Sequence, residues 1–566
     1  MMVAIRSRFG PWLPDVPPFG SEGSRVIKNA LPVAGGYIPA RQVSPFTESV
    51  TEDVLAAVYA VSSSGAAFGF VGTPNALRKA NGNAFANVSK AGGFQTLDGD
   101  SWYFVRFGDL VIATNFNDPA QKFDLGADTV FSDLSTDAPK AKFLAVFNRF
   151  LFLGHLNENG TVSPSGVRWS ALDVPTSFPA IDILTNSRSD EAVQTLSDRQ
   201  ILASEYGDIT GLASGLTSAD GVIFQENGIT AVNFRGGDEI FAFDVIEGAR
   251  GSIAPRSIVQ EGGRAFYMSD TGLFFTDGIS STPLGANRVD DFLFEAIRND
   301  QLDRIESGID VRGKFLYWTL PGNGDLSLVY SYAVDEFALL EGLGVRLFVR
   351  SLNTATGLED VAAQFGGLDR MTVSLDDPIF SGSRVPTFSA FDRDNKLGTL
   401  SGPALPATLR TKEAEIFDDG RAYMQFARPF IDTDQVSVRS VTRETLQDQP
   451  AEGVSSRVVA GTSRHRETAR YWALQIETDA GADWTFAQGI QGVFEEAGNR
   501  DPVDIAVSFI VPAFLLIRQG LLLLDHDGRP LLSEEQLDPG EIVAFLVTLD
   551  GDRLVTLAGD PLITSV

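Results

Sequence analysis

The stretch Ala66–Thr73, AAFGFVGT, sets a pattern that returns along the chain. GDLVIATN begins at Gly108, NRFLFLGH at Asn148, GVIFQENG at Gly221, GRAFYMSD at Gly263 and GKFLYWTL at Gly313. Successive starts lie 42, 40, 73, 42 and 50 residues apart. Four of the five steps match the roughly 40–50 residues of one propeller blade in the common repeat families. The long step contains QILASEYGDITGLASG, which reads as extra strands or an insertion, and a further unit, DVAAQFGG to RMTVSLDD, follows near residue 360. The spacing predicts a β-propeller of six to eight blades over residues 51–395. A run of β-sandwich hairpins is the alternative that spacing alone leaves open. A propeller also explains how many short strands avoid exposed edges.

Turn chemistry supports an all-β chain. Asn-Gly and Asp-Gly pairs recur, among them Asn81-Gly82, Asn159-Gly160, Asn227-Gly228 and Asp277-Gly278. These pairs tolerate the positive φ angles of tight hairpins. Helical periodicity is scarce; the one candidate is Asp290–Ile305, where Phe292, Leu293, Ala296, Ile297 and Leu302 share a face. After residue 400 the strands lengthen and alternate, as in RAYMQFARPFI and ARYWALQIE. The resulting division is an N-terminal arm (1–50), the propeller (51–395), a β-sandwich-like platform (396–500) and C-terminal β-hairpins (501–566). In the last part Leu521–Leu524 and Val543–Leu549 read as apolar strands, which pair within or across subunits.

Composition narrows the function. The chain has 566 residues, 43% hydrophobic and 10% aromatic, enough to build real cores. Cysteine is absent, which excludes disulfides, thiolate metal sites and cysteine nucleophiles. The only histidines are His155, His465 and His526, each expected at the surface or in a capping role. A net charge of −29 argues against a nucleic-acid binder, because phosphate binding rests on Lys and Arg. The opening MMVAIRSRFGPWLPDVPPFG has no apolar signal region, so no targeting segment is expected. IAVSFIVPAFLLIRQGLLLL is broken by Pro512, Arg518 and Gln519, so no membrane span is expected either.

No catalytic motif completes itself. GIDVRGKF, Gly308 to Phe315, approaches a phosphate loop but lacks the final Ser/Thr and runs into a strand. Two acidic turns invite a calcium reading: FDRDNKLG with Asp392, Asp394 and Asn395, and LDHDGRP with Asp525 and Asp527. Neither completes an EF-hand; Pro530 and Gln536 stand where that loop needs Gly and Glu. SDTGLFF resembles a sialidase Asp-box only loosely, and no G-x-S-x-G elbow exists. Arg464, Arg466 and Arg470 form a mild basic cluster, read as a solvated strand or a contact with an acidic neighbour. Trp102, Trp169, Trp318, Trp472 and Trp484 are read as core packing. No catalytic, cofactor-binding or metal-binding residue is assigned.

Several segments, in order, resemble the tail nozzle proteins of short-tailed phages, which are tubular, propeller-bearing virion proteins. KNALPVAGGYIPA carries an N-x-x-P-x-x-G-G-Y-x-P pattern through Asn29, Pro32, Gly35, Gly36, Tyr37 and Pro39. VRWSALDVPTSF carries R-W-S-x-x-x-x-P-x-x-F through Arg168, Trp169, Ser170, Pro175 and Phe178. VGTPNALRKANGNAFANVSK, ANRVDDFLFEAI, LGTLSGPALPATLRTKEAEIF, ARPFID and DWTFAQGI extend the resemblance over about residues 25–500. The resemblance implies a non-enzymatic virion protein made in the bacterial cytoplasm. It implies a homo-hexameric ring below a tail adaptor that forms the DNA-exit channel, with a docking surface for fibres or spikes. DNA would pass without specific binding, since an acidic wall repels phosphate. The alternatives are a propeller glycoside hydrolase acting on host surface polysaccharide, or a receptor- or fibre-binding module.

Overall fold

A computed structural model describes residues 2–497 except 18, 238, 298, 323, 352–366, 371–386 and 419, together with 513–515 and 543–545. The chain is all-β, and almost every element is an antiparallel strand. Two compact units divide it, residues 1–496 and 497–566.

The first unit contains seven successive sets of four strands. The first set is Ala56–Val61, Ala67–Gly72, Leu77–Asn81 and Ala84–Asn87. The second starts at Tyr103–Phe107, the third at Lys140–Phe147, the fourth at Ile209–Ser214, the fifth at Val259–Glu261 and the sixth at Ser307–Asp310. The seventh comprises Val345–Ser351, Thr387–Asp392 and Leu397–Thr399, and its fourth strand is Ser44–Pro45 from the far end of the unit. The sixth set also continues into a larger sheet: Glu336–Glu341 pairs in parallel with Ile27–Lys28, which pairs with Thr408–Arg410.

All six runs that define the sequence spacing are second strands of their sets. They are buried along nearly their whole length, as in Gly221–Gln225, where every residue is buried. A strand covered on both faces reads as a continuous apolar run. The 73-residue step arises because the third set inserts residues 170–197 between its third strand, Thr161–Trp169, and its fourth, Asp198–Ile201. The turns behave as their residues dictate. Asn159 and Gly160 take φ of 53° and 89° between the paired residues Glu158 and Thr161, as a two-residue hairpin with positive φ at both positions requires.

Residues 2–45 contribute five strands to the sheets. Met2–Arg8 pairs with Ala487–Ala497, and Ala30–Val33 with Gly36–Pro39 at the edge of the same six-stranded sheet. Met424 and Ala422 from this sheet pack with Val436, Val438, Trp472, Leu474 and Ile476 from the eleven-stranded sheet in one apolar core. Trp102, Trp169, Trp318, Trp472 and Trp484 are all buried.

The helical candidate is shorter than its apolar face suggested: a helix spans Asp290–Ala296, and a 3₁₀ stretch, Asn299–Arg304, follows. No described helix is long and apolar enough to cross a membrane. In the second unit Ala513–Leu515 pairs antiparallel with Val543–Phe545. The readings at Leu521–Leu524, Asp525, His526 and Asp527, and the unit from DVAAQFGG to RMTVSLDD apart from residues 367–370, lie outside the described residues.

Candidate functional site

The sequence motifs resolve into turns. In GIDVRGKF the chain folds from Ser307–Asp310 into Phe315–Leu320, and Asp310 Oδ1 accepts from the Arg312 and Gly313 N–H groups, both at 3.0 Å. This is an Asx-type hairpin turn, with no helix to cradle a phosphate. In FDRDNKLG, Asp392 Oδ1 accepts from Lys396 N at 2.8 Å and Asn395 Oδ1 from Val54 N at 3.1 Å. Those oxygens are committed to backbone N–H groups. Among the described residues no group of three or more His, Asp or Glu is placed to hold a metal ion.

Two histidines depart from the surface or capping role expected of them. His465 is 5% exposed, because alternation over Ser463–Arg466 turns it inward while Arg464 and Arg466 are exposed. Its Nε2 lies 3.0 Å from Ser463 Oγ. Arg470 pairs with Glu415 at 3.6 Å. His155 sits at a bulge.

That bulge lines a cleft in the first unit. The register between Phe150–Glu158 and Thr161–Trp169 slips between Gly154 and Leu156, and His155 takes a φ of 56°. A second slip, between Ile209 and Gly211, falls at Thr210 in the fourth set. Bulges re-aim side chains, and these two open on the same cavity of about 420 Å³. Phe143, Ile253 and Pro255 supply apolar lining, while Lys142, Asp208, Glu226 and Asn227 supply polar groups. The His155 ring meets Phe116 edge-on at 5.2 Å and Phe143 at 6.5 Å.

The rim is held by backbone. Glu226 N donates to Asp208 O at 3.0 Å, and Asn227 N to Tyr206 O at 2.9 Å. Gly207, with φ of 80°, lies so close to the Glu226 carboxylate that a Cβ there would come within 2.3 Å of it. Lys142 is paired with Asp100 at 2.8 Å. On two of the lining residues, the side-chain atoms His155 Nδ1 and Thr210 Oγ1 are enclosed and have no hydrogen-bond partner among the described residues. Buried polar atoms are rarely left so. Burial, then Lys142, lowers the His155 pKa against the opposing pull of Asp208, the Ile209 backbone and Asp100, which favours the neutral ring.

A second cluster joins distant sets. The Arg256 guanidinium donates to the Leu55 carbonyl and pairs with Glu306, while Ser101 Oγ donates to the same carbonyl at 2.9 Å. Burial outweighs the Arg256 charge and pushes the Glu306 carboxyl up to about 7. Asp290 is also raised, to about 6, mainly by burial; its Oδ1 accepts from Leu273 N at 3.2 Å, a structural contact that ties the helix Asp290–Ala296 to the fifth set.

The residues that carry the family resemblance occupy joints. Arg168 Nη1 lies 3.2 Å from Glu158 Oε1, and Arg168 Nη2 donates to Phe178 O and Pro179 O at 3.3 and 2.9 Å. Trp169 Nε1 donates to Leu196 O at 2.9 Å, and Ser170 Oγ accepts from Leu151 N at 3.0 Å. Together they pin both ends of the 170–197 insertion. Asn29, with φ of 58°, donates to Pro406 O at 2.9 Å and accepts from Glu341 N at 2.7 Å, so one amide bridges three segments. Tyr37 Oη donates to Gly10 O at 2.8 Å.

From sequence His155 reads as a surface or capping histidine and Asn227 as half of a hairpin pair, and neither reading points to a cleft. Positive φ at a histidine and a one-residue slip in strand pairing leave no compositional trace.

No family profile and no curated protein matches the chain. Among solved structures, a crystal structure of the computationally designed Ika8 protein is 10% identical, with a TM-score of 0.29, covering 66% of this chain and 97% of its own. A chain of the mitotic checkpoint complex is 10% identical, with a TM-score of 0.34, covering 65% of this chain and 95% of its own. Scores this low carry no argument about fold or function.

Proposed function

We propose that the chain is a non-enzymatic structural subunit of a phage tail nozzle, built as a seven-bladed β-propeller on a β-sandwich platform. The observation that carries the reading is the use made of the resemblance motifs. Arg168, Trp169, Ser170 and Asn29 are spent on tying strands, insertion and sheets together. Motifs spent on architecture suit a protein whose output is its shape.

Support for the propeller comes from how the sets of strands meet. First strands lie side by side from the first set to the fourth and from the fifth to the seventh, and the first strand of the seventh set returns to Ala56–Val61. Arg256, ahead of the fifth set, touches Leu55, ahead of the first. A row of sheets would hold these ends apart, whereas a circle brings them together. The Ser44–Pro45 strand would then close the circle by completing the last blade. Such an arrangement would leave only short, protected edges, which lowers the risk of edge-to-edge aggregation.

In this reading identical subunits close by cyclic symmetry, most simply as the hexamer the resemblance implies, beneath an adaptor and beside fibres or spikes. The net charge of −29 suits a wall that DNA slides past. A glycoside hydrolase takes second place, because it needs two carboxylates facing each other across a bond. Asp208 and Glu226 belong instead to neighbouring, backbone-bonded segments.

The test is electron microscopy and light scattering of the purified protein, with labelling of virions. The expected result is a symmetric ring located at the tail tip. A strict monomer that binds no other tail component overturns the proposal.

A further inference from the structure

We propose that the outer face of the six-stranded sheet binds the phosphate backbone of single-stranded nucleic acid through Arg6, Arg8, Arg428, Arg464 and Arg466. The inference goes beyond the nozzle reading and does not depend on it.

Three strands carry these arginines: Met2–Arg8, Arg421–Ile431 and Ser463–Ala469. Their inward residues, among them Ile5, Met424, Ala427 and Ala469, pack in the core shared with the eleven-stranded sheet. Side chains alternate across a strand, so the five arginines face away from that core, and all five are exposed. They form one stripe. Arg464 is abreast of Phe426, Arg428 follows two residues along the same strand, and the Arg6 guanidinium lies over the Phe430 ring, two residues further, at 5.7 Å. Arg466 and Arg8 extend the stripe at its two ends. It crosses three inter-strand spacings, about 14 Å.

Acid is not scarce in this chain, which has 74 Asp and Glu against 45 Lys and Arg. Arg410, Arg439 and Arg443 on the neighbouring sheet all have carboxylate partners. Among the described residues none of the five arginines on this face has one. Glu495 shares the face but lies opposite Met2, where Gln425 Nε2 donates to it at 2.9 Å. Glu467, next to Arg466, accepts from Ser440 Oγ instead. Five guanidiniums without counter-charge select an anion. At physiological salt, fields decay within about 8 Å, so acid on other faces is screened from this one.

The rings select the kind of anion. Arginine presents a fork that matches phosphate oxygens. Phe426 and Phe430 alternate with Arg428, and a cationic row interleaved with aromatic rings is how proteins hold single strands without reading sequence. A duplex keeps its bases stacked inside and makes no use of the rings. An acidic protein surface needs only the charge.

The experiment is fluorescence anisotropy of the full chain with a labelled oligothymidylate of about 20 nucleotides. Binding is expected with a Kd on the order of 10 μM at about 50 mM salt. At about 200 mM salt it should be about a hundredfold weaker, the loss that five phosphate contacts imply. The double variant Arg464→Gln, Arg466→Gln should cut that salt effect to about twentyfold, since three contacts remain. It should melt with the parent, because these arginines have no partner to lose. Phe426→Leu keeps every charge and is expected to weaken binding about tenfold through lost stacking. The proposal is overturned if the oligonucleotide does not bind at the lower salt, or if either variant binds like the parent. Tighter binding of polyglutamate or of a duplex of equal length also overturns it. So does sedimentation in which the parent self-associates and the arginine variant does not, which would make a second copy the occupant.

Discussion

Glu158 sits between two guanidiniums, 3.2 Å from Arg168 Nη1 and 2.8 Å from Arg199 Nε, and all three side chains are at most 8% exposed. Desolvation leads the causes that lower the Arg168 pKa, and the Glu158 charge opposes it. One carboxylate therefore holds two buried cations. Glu158→Gln would remove the ion-pair partner of both, and breaking a buried pair in this way costs about 3–5 kcal/mol. Arg149 and Asp173 form an ion pair of the other kind, 65% and 47% exposed. Arg149→Ala is expected to cost at most about 1 kcal/mol, because exposed pairs gain little over hydration. Urea unfolding of the two variants measures the contrast directly. Similar losses would show that the buried triad is not what pins the insertion at residues 170–197.

Between elements, the Arg256–Glu306 contact decides how the first, fifth and sixth sets are coupled across pH. Glu306 has a folded pKa of about 7 against an ordinary value of 4.5. The native state therefore binds the proton more tightly than the unfolded chain. The contribution is fully present below pH 4.5 and is lost as pH rises through 7. Across that window the parent should lose on the order of 3 kcal/mol relative to Glu306→Gln, which has no proton to release. Denaturant unfolding at pH 4.5 and pH 7.5 gives the comparison, and a difference independent of pH refutes it. This coupling had no sequence signature, since Leu55, Arg256 and Glu306 are far apart in the chain. What sequence did reveal were second strands, because burial on both faces writes a continuous apolar run. Two of the fourth strands left no such mark: Ser132–Asp133 is two exposed residues and Ser281–Pro283 is mostly exposed. The seventh set escaped the spacing because its second strand, Thr387–Asp392, lies beyond the unit sought near residue 360, and its last strand comes from residue 44. The cleft stayed hidden for a related reason: bulges change where a side chain points without changing which residues are present.

At the scale of the molecule, the N-terminal residues are structural in three places at once. Met2–Arg8 adds a strand to the six-stranded sheet. Ile27–Lys28 bridges Glu336–Glu341 to Thr408–Arg410, the one link that makes the sixth set and the larger sheet continuous. Ser44–Pro45 completes the seventh set. Ile27, Ala30 and Tyr37 are at most 1% exposed in the core shared with Trp472 and Trp484. Removing residues 1–45 would open that core, expose the edges of three sheets and free the N–H groups that Asn29 and its neighbours satisfy. Unpaired edges and exposed apolar surface favour aggregation over a looser fold. A chain beginning at residue 46 is therefore expected to be insoluble or to unfold without a cooperative transition. A chain ending at residue 496 should behave oppositely, because residues 1–496 already form a compact unit. It is expected to keep a cooperative melting transition, since the core shared by Ile27, Ala30, Tyr37, Trp472 and Trp484 lies wholly within that unit. Calorimetry of the two truncations tests the asymmetry. A soluble, cooperative N-terminal deletion would mean that the seven sets of strands hold without Ser44–Pro45 and the other N-terminal strands.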